Sequence, residues 1–111
     1  MKRRQLSESA FFKLYVRPWL TQNGIYFFRI ETDTSRGVPD IIACIRGTFV
    51  GLELKRDRMS RPTKLQAFVG ENIKLHGGLW FVVHPDNFEE IKQKLLYLKR
   101  PRFKETKSLI G

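Results

Sequence analysis

Hydrophobic and polar positions along this chain follow two periods, which predicts a mixed α/β domain. Apolar residues recur at helical spacing in three segments, and β-branched and aromatic residues are concentrated in four short runs between them. The predicted order is helix, strand, strand, strand, helix, strand, helix. We therefore expect an α/β sandwich in which helices flank both faces of a mixed sheet.

The first predicted helix contains a proline that should interrupt it. Ser7 can cap its N-terminus, and Glu8 lies in the first turn, near the positive end of the helix dipole. Pro18 lacks the N–H that a helix interior needs, so we expect the helix to run from Glu8 to about Val16. A separate turn would then extend to Gln22.

The other two helices are predicted from the period of their apolar residues. Pro62 suits a first helical turn, and the second helix should run from there to about His76. Its expected apolar face consists of Leu65, Phe68, Val69, Asn72 and Leu75 or His76. One side of the third helix is lined by Phe88, Ile91, Leu95 and Leu98.

Two of the predicted strands lie outside the central hairpin. Residues 25–30 are rich in β-formers and predict the first strand. Residues 79–83 are all apolar, which is typical of a central strand covered on both faces.

The stretch from Gly37 to Lys55 carries the candidate chemistry. Two apolar runs flank the short turn Arg46-Gly47, the pattern of a β-hairpin. Cys44 lies inside the first run, and we expect it to be a buried packing residue. Asp40 begins the first strand and Glu53 ends the second, so both carboxylates lie near the same end of the hairpin.

The turn fixes which residues of the hairpin face each other. With Arg46-Gly47 as the turn, counting back along both strands places Asp40 opposite Glu53, whereas a bulge would shift this pairing. Directly opposed residues project from one face of a sheet, as do residues two apart on one strand. The side chains of Asp40, Glu53 and Lys55 should therefore project from the same face of the sheet.

Two opposed carboxylates repel each other, so something should compensate for their charge. A divalent cation would do so, with Lys55 as a further counter-charge, and oxygen-only ligands favour Mg²⁺ or Mn²⁺ over zinc. The alternative is an ion-pair cluster at a solvated strand end. Spacing alone leaves both interpretations open.

Composition narrows the class of partner. The chain has 111 residues, which suits one domain, and its 21 Lys and Arg against 11 Asp and Glu give a net charge of +10. This charge favours an acidic partner, most often nucleic acid, with an anionic membrane surface or an acidic protein as alternatives.

One cysteine excludes an internal disulfide framework, and two histidines argue against a structural zinc site. We find no secretory signal and no apolar run long enough to span a membrane, and expect an intracellular, cytoplasmic protein.

These elements and motifs resemble the PD-(D/E)xK nucleases, and more closely their virus-type replication–repair (VRR-NUC) domain. The resemblance covers most of the chain up to about Val83 and implies a restriction-endonuclease-like αβββαβ core. Its motifs are Gly37-Val38-Pro39-Asp40, Glu53-Leu54-Lys55, Asp57-Arg58 with Ser60, Gln66 on the second helix and Glu8 on the first. The loop after Lys55 departs from the family because it lacks the usual Gly-Pro.

The resemblance implies a metal-dependent phosphodiesterase site. Its metal ligands, for Mg²⁺ or Mn²⁺, would be Asp40, Glu53, the main-chain carbonyl of Leu54 and Glu8. Lys55 would orient or help deprotonate the attacking water, and Gln66 would hydrogen-bond the water or the phosphate, although Lys55 could instead be a plain ion-pair partner and Gln66 an exposed polar residue. The DNA backbone would be held by Arg36, Arg56, Arg58, Arg61 and Lys64, for which the alternative is a solvated basic surface.

The resemblance also implies a substrate and an assembly. Single-domain members act as homodimers on branched DNA, including four-way (Holliday) junctions, and the family points to a phage or prophage origin. Alternatives are a flap or linear-DNA nuclease and a non-catalytic nucleic-acid-binding protein with the same basic surface. We expect one nuclease domain over residues 1–98 and a basic tail over 99–111, which either meets a phosphate backbone or only aids solubility.

Overall fold

The protein contains a four-stranded mixed sheet. The computed structural model describes residues 6–31 and 36–101 of the chain. The strands are β1 (Tyr26–Arg29), β2 (Ile41–Ile45), β3 (Thr48–Leu54) and β4 (Leu79–Val83), and they lie side by side in that order. β1 and β3 both pair antiparallel with β2, and β4 runs parallel to β3. The predicted α/β class with a mixed sheet is confirmed.

Helices cover this sheet on both faces. The N-terminal helix consists of α1 (Glu8–Phe11), a π-helical segment (Phe12–Val16) and α2 (Arg17–Gln22). It is followed by α3 (Lys64–Leu75) and α4 (Phe88–Leu98). The order of elements along the chain is the one that the sequence predicts.

The main core lies between the sheet, the N-terminal helix and α4. Alternate residues of β2 and β3 point into it, and the bulkiest of its fully buried side chains are Phe11, Leu20, Ile41, Leu52, Leu54 and Leu95. α3 packs on the opposite face, where Gly51 of β3 lies against Ile73. The carboxylates of the hairpin project toward this second face.

The sequence predicts that the N-terminal helix ends before Pro18. In the structure the helix continues to Gln22. The backbone N–H of Arg17 donates to the carbonyl of Phe12, five residues back, so the turn before the proline is wider than an α-helical turn. This π-helical register accommodates a residue that has no N–H and whose ring would clash with the carbonyl four residues earlier. The predicted helix end near Val16 is therefore wrong because this π-helical turn lets the helix continue through Pro18.

The hairpin register is the predicted one. Ile45 pairs with Thr48 and Ile41 pairs with Leu52. Arg46 and Gly47 both have positive φ, 48° and 88°, as a two-residue turn of the primed type requires. One further step along this register places Asp40 opposite Glu53.

One expectation about strand position and one about burial are wrong. Among the described strands, β4 ends the sheet rather than lying at its centre, although α3 and α4 pack on its two faces. Cys44 is exposed because it points to the face that α3 covers only over β3 and β4. An apolar run does not by itself reveal how far the neighbouring helix extends across the sheet.

α3 approaches the sheet through Gly70 and Ile73 rather than through its predicted apolar stripe. Gly70 is its buried residue, and a Cβ built there would lie 2.2 Å from Cδ2 of Trp80. Leu65 and Phe68 remain 43% and 66% exposed. The indole of Trp80 therefore sets the position of this helix over β4.

The chain that follows α4 is described only as far as Pro101. Lys99, the first residue of the predicted tail, is fixed to the fold because its Nζ donates to the carbonyl of Asn23. The rest of the predicted tail, residues 102–111, lies outside the described residues. In the described ranges, no helix is both long and apolar enough to cross a bilayer.

Gly70→Ala is expected to lower the free energy of unfolding by about 1–3 kcal/mol, because the new methyl group would overlap the Trp80 ring. Helix propensity alone predicts the opposite sign, a gain of about 1 kcal/mol. Urea denaturation of the purified variant measures the difference. Gln93→Ala, at an exposed position of α4, serves as the control for a helical substitution without a clash, and a stabilised Gly70→Ala protein would refute this account of the packing.

Candidate active site

Asp40 is held in place by both neighbouring strands. Its carbonyl accepts a hydrogen bond from the backbone N–H of Ile30 (2.8 Å), which extends the pairing of β1 and β2 by one residue. Its Oδ2 accepts from the backbone N–H of Leu54 (2.7 Å). The carboxylate is therefore attached to the end of β3, beside Glu53.

The Gly37-Val38-Pro39 segment packs under α3 and delivers Asp40 to this position. Pro39 is fully buried and lies against Gly51, where a Cβ would come within 2.9 Å of its ring. Gly37 has a φ of +69°, and a Cβ there would lie 2.7 Å from Leu65. Both glycines are needed because backbone and ring approach closely at these points.

Glu53 carries a buried carboxyl group with one oxygen that lacks a hydrogen-bond partner among the described residues. The residue is 1% exposed, and its Oε1 has no hydrogen-bond partner among the described residues. Burial, followed by the charge of Asp40 and a hydrogen bond shared with it, raises the pKa of Glu53 from 4.5 to about 8, and Lys55 opposes this rise. Glu53 is therefore mostly protonated at neutral pH unless a cation replaces the proton.

The main chain adds a third oxygen at the same edge. In a strand, the N–H and the C=O of one residue point to the same neighbour. Because the N–H of Leu54 points to Asp40, the carbonyl of Leu54 is directed to that side as well. The sequence-predicted ligands Asp40, Glu53 and Leu54 thus meet at one end of the hairpin.

Lys55 and Gln66 are brought together, although they lie on different elements. The backbone N–H of Lys55 donates to Val83 of β4 (2.9 Å), and its Nζ donates to Oε1 of Gln66 (3.1 Å). Only 9% of Lys55 is exposed. The ammonium group is therefore positioned by α3 and does not move freely in solvent.

Gln66 is itself fixed by the start of α3. Thr63 and Gln66 form a capping box in which Oγ1 of Thr63 accepts from the N–H of Gln66 and Oε1 of Gln66 accepts from the N–H of Thr63. Sequence reasoning missed Thr63 as a supporting residue, although Thr-x-x-Gln before an apolar stripe is its recognisable signal. Gln66 joins the helix cap to the lysine, so it is not merely an exposed polar side chain.

Glu8 is less closely associated with the pair. It is exposed in the first turn of α1, and its charge contributes to the raised pKa of Glu53. Within residues 6–31 and 36–101, no three His, Cys, Asp or Glu side chains are grouped closely enough to hold a metal. The structure therefore brings Asp40 and Glu53 together and leaves Glu8 at the margin.

The loop after Lys55 is ordered by an aspartate. Oδ1 of Asp57 accepts hydrogen bonds from the N–H of Met59 (2.9 Å) and from the N–H and Oγ of Ser60 (2.9 and 3.0 Å). Nε of Arg56 lies 3.8 Å from the other carboxylate oxygen. Asp57 thus has a structural role, and the loop that carries the arginines has a defined shape.

The predicted phosphate-binding residues are all exposed, as that role requires. They flank the carboxylate pair in sequence on both sides and comprise Arg36, Arg56, Arg58, Arg61 and Lys64. Arg56 follows Lys55 directly, Arg58 comes two residues later, and Lys64 begins α3 one residue after the capping threonine. The arrangement allows several contacts to a polyanion without burying any of these charges.

The chemistry of this donor set suits a divalent cation. Two carboxyl groups lie together, the carbonyl of Leu54 is directed to the same edge, and one buried carboxyl oxygen has no partner among the described residues. Hard oxygen donors of this kind match Mg²⁺ or Mn²⁺, which keep several water ligands and need few protein groups. A grouping of only two carboxylates is therefore compatible with these ions.

The raised pKa of Glu53 predicts that the metal-free protein loses stability as the pH rises. A folded-state pKa of about 8 against 4.5 means that the contribution is complete below 4.5 and is lost as the pH increases through 8. Relative to Glu53→Gln, whose amide stands in for the protonated acid, the wild type should lose about 1.4 kcal/mol per pH unit within this window. Denaturant unfolding in chelator between pH 5 and 8.5 measures the difference, and parallel curves for both proteins would show that Glu53 ionises normally.

Comparison of the chain with protein-family models, with curated proteins and with solved structures gave no match. The interpretation of the site therefore depends on its geometry and on the motifs in the sequence.

Proposed function

We propose that this chain is a metal-dependent DNA endonuclease that hydrolyses phosphodiester bonds in branched DNA. The observation that carries the proposal is the buried Glu53 carboxyl, which faces Asp40 and lies two residues from the fixed ammonium of Lys55. An isolated surface ion-pair cluster would not need a fully buried carboxyl with an unpaired oxygen. A site that binds a cation beside a phosphate does need such groups.

The chain's own residues have distinct parts in the proposed reaction. Asp40, Glu53 and the carbonyl of Leu54 would hold Mg²⁺ or Mn²⁺, and the bound ion would supply Lewis-acid activation of the phosphate and of a water molecule. Lys55 would orient or help deprotonate the attacking water and offset the charge that develops on the phosphate. Gln66 would fix the position of Lys55, and Glu8 could act on the site through water.

The basic side chains around the site support DNA as the substrate. Lys and Arg contacts to phosphates give affinity without sequence preference and make binding weaker as salt increases. The sequence contains no motif of a known base-reading module. We therefore propose selection by DNA shape, with four-way junctions as the preferred substrate and flaps as the alternative.

Cleavage of labelled four-way junction, flap and linear duplex DNA with Mg²⁺ or Mn²⁺ tests the proposal. Asp40→Asn and Lys55→Met should each lower the rate by at least about 100-fold, since the first removes a proposed metal ligand and the second removes the charge beside the attacking water and the phosphate. Lys55→Met should retain DNA binding in a salt titration. The matched controls are Glu90→Gln and Lys74→Met, which alter exposed residues outside the site and should cleave as the wild type does.

Two different results would contradict the proposal. Salt-sensitive binding without cleavage of any substrate would identify a non-catalytic nucleic-acid-binding protein. Cleavage that Asp40→Asn retains would place the active site elsewhere on the chain.

A further inference from the structure

A cavity of about 920 Å³ lies beside the candidate active site and has no part in the reaction proposed above. Clefts of roughly 300–1,000 Å³ that combine aromatic walls with a few polar groups are the usual binding sites for small organic groups. This cavity has that character, since aromatic rings and charged side chains both line it. The aromatic pocket, as we use the term, is lined by Phe11, Tyr15, Arg56, Asp86, Phe88 and Lys92.

The aromatic pocket and the carboxylate site share one edge of the sheet, at the carboxyl ends of β3 and β4. The backbone N–H of Lys55 donates to the carbonyl of Val83 (2.9 Å), which continues the parallel pairing past the end of β3. Arg56, the residue after Lys55, and Pro85, two residues after Val83, both line the pocket. The pocket therefore begins one residue beyond Lys55.

The N-terminal helix makes a second connection between the pocket and the carboxylates. Leu6, just before this helix, lines the pocket. Glu8, two residues later, lies close enough for its charge to contribute to the raised pKa of Glu53. A group bound in the pocket is thus a neighbour of any group that the two carboxylates hold.

The aromatic rings of the pocket leave room for one more planar group. Phe11 and Phe88 are buried, and their rings meet edge to face with centroids 5.6 Å apart. Tyr15 lies one helical turn after Phe11, with a centroid distance of 6.4 Å, and is 51% exposed. Its ring is therefore open to stacking by a nucleic-acid base, each of which has a π-face.

The charges of the pocket favour the base of a nucleotide over its phosphate. Carboxylates outnumber cations by three to two among the lining residues Asp57, Asp86, Glu89, Arg56 and Lys92. The ammonium of Lys92 lies 2.6 Å from Glu89 and 4.6 Å from the centre of the Phe88 ring, so these groups already balance its charge. The exposed carboxylate of Asp86 can accept a hydrogen bond from the exocyclic amino group of adenine, cytosine or guanine, which thymine lacks.

We propose that the aromatic pocket binds one unpaired base of the cleaved DNA strand, stacked on Tyr15, while Arg56 contacts the adjoining phosphate. The proposal rests on the proposed nuclease function for the source of the base, whereas the chemistry of the ligand follows from the lining residues. A base that is already unpaired enters such a pocket at the least cost, because less pairing and stacking has to be broken. The pocket thereby adds a preference at one position, against thymine, to selection by DNA shape.

Fluorescence anisotropy in chelator tests the pocket without cleavage. The probes are labelled duplexes with one bulged nucleotide that carries cytosine, thymine or no base. The wild type should bind the cytosine bulge about 10-fold more tightly than the abasic bulge, since stacking of one base on an aromatic side chain changes affinity by about 5- to 150-fold. Tyr15→Ala should remove this difference, and Tyr15→Phe should keep it.

Two further variants separate stacking on Tyr15 from general affinity and from base choice. Tyr97→Ala alters a similarly exposed tyrosine of α4 that does not line the pocket, and it should keep the preference for cytosine over the abasic site. Asp86→Asn should reduce the preference for cytosine over thymine at least about 3-fold, because the amide replaces a hydrogen-bond acceptor with a group that also donates. Far-UV circular dichroism checks that each variant is folded.

The outcomes for the pocket and for the nuclease function are distinguishable. Equal affinity of the wild type for the cytosine and abasic bulges, or a difference that Tyr15→Ala retains, would overturn the pocket proposal. A base preference that depends on Tyr15, without cleavage of any DNA in Mg²⁺ or Mn²⁺, would support the pocket and contradict the nuclease function. Cleavage without a base preference would do the reverse.

Discussion

The pairing of β2 with β3 is the constraint on which the candidate site depends. The two-residue turn at Arg46-Gly47 fixes the register, and the register brings Asp40 and Glu53 to the same end of the hairpin. A slip of one residue would turn every side chain of one strand to the other face of the sheet and separate the pair. The buried residues Ile41 and Leu52 resist such a slip because they would lose their place in the core.

α3 converts this pair of opposed carboxylates into a site with a defined environment. It covers the end of β3, so Glu53 is removed from water, and it supplies Gln66 as the acceptor for Lys55. Gly51 and Gly70 make the close approach of this helix possible. The same approach has a cost, since the helix leaves the neighbouring half of the sheet uncovered.

Local sequence signals were sufficient to predict most of the fold. The class, the order of elements, the hairpin register and residues 79–83 as β4 follow from period, turn chemistry and the opposition of residues across a hairpin. The convergence of Asp40 and Glu53 follows from the same opposition. These features depend on residues close together in the sequence.

The features that could not be predicted depend on distant contacts. Cys44 has apolar neighbours in sequence, and only the position of α3 decides that it is exposed. The contact of Lys55 with Gln66 joins two elements across the sheet, and the pKa of Glu53 is set by burial that the sequence does not state. The helix through Pro18 depends on a π-helical turn that has no clear sequence signature.

The central claim is that Asp40 and Glu53 share a divalent cation, and calorimetric titration with Mn²⁺ at pH 7 tests it most directly. Since the pKa of Glu53 is raised to about 8, binding should release close to one proton per ion, seen as a binding enthalpy that varies with the ionisation enthalpy of the buffer. Glu53→Gln should bind the ion much more weakly and release no proton. Unchanged binding by this variant, or wild-type binding with no proton release, would contradict the account.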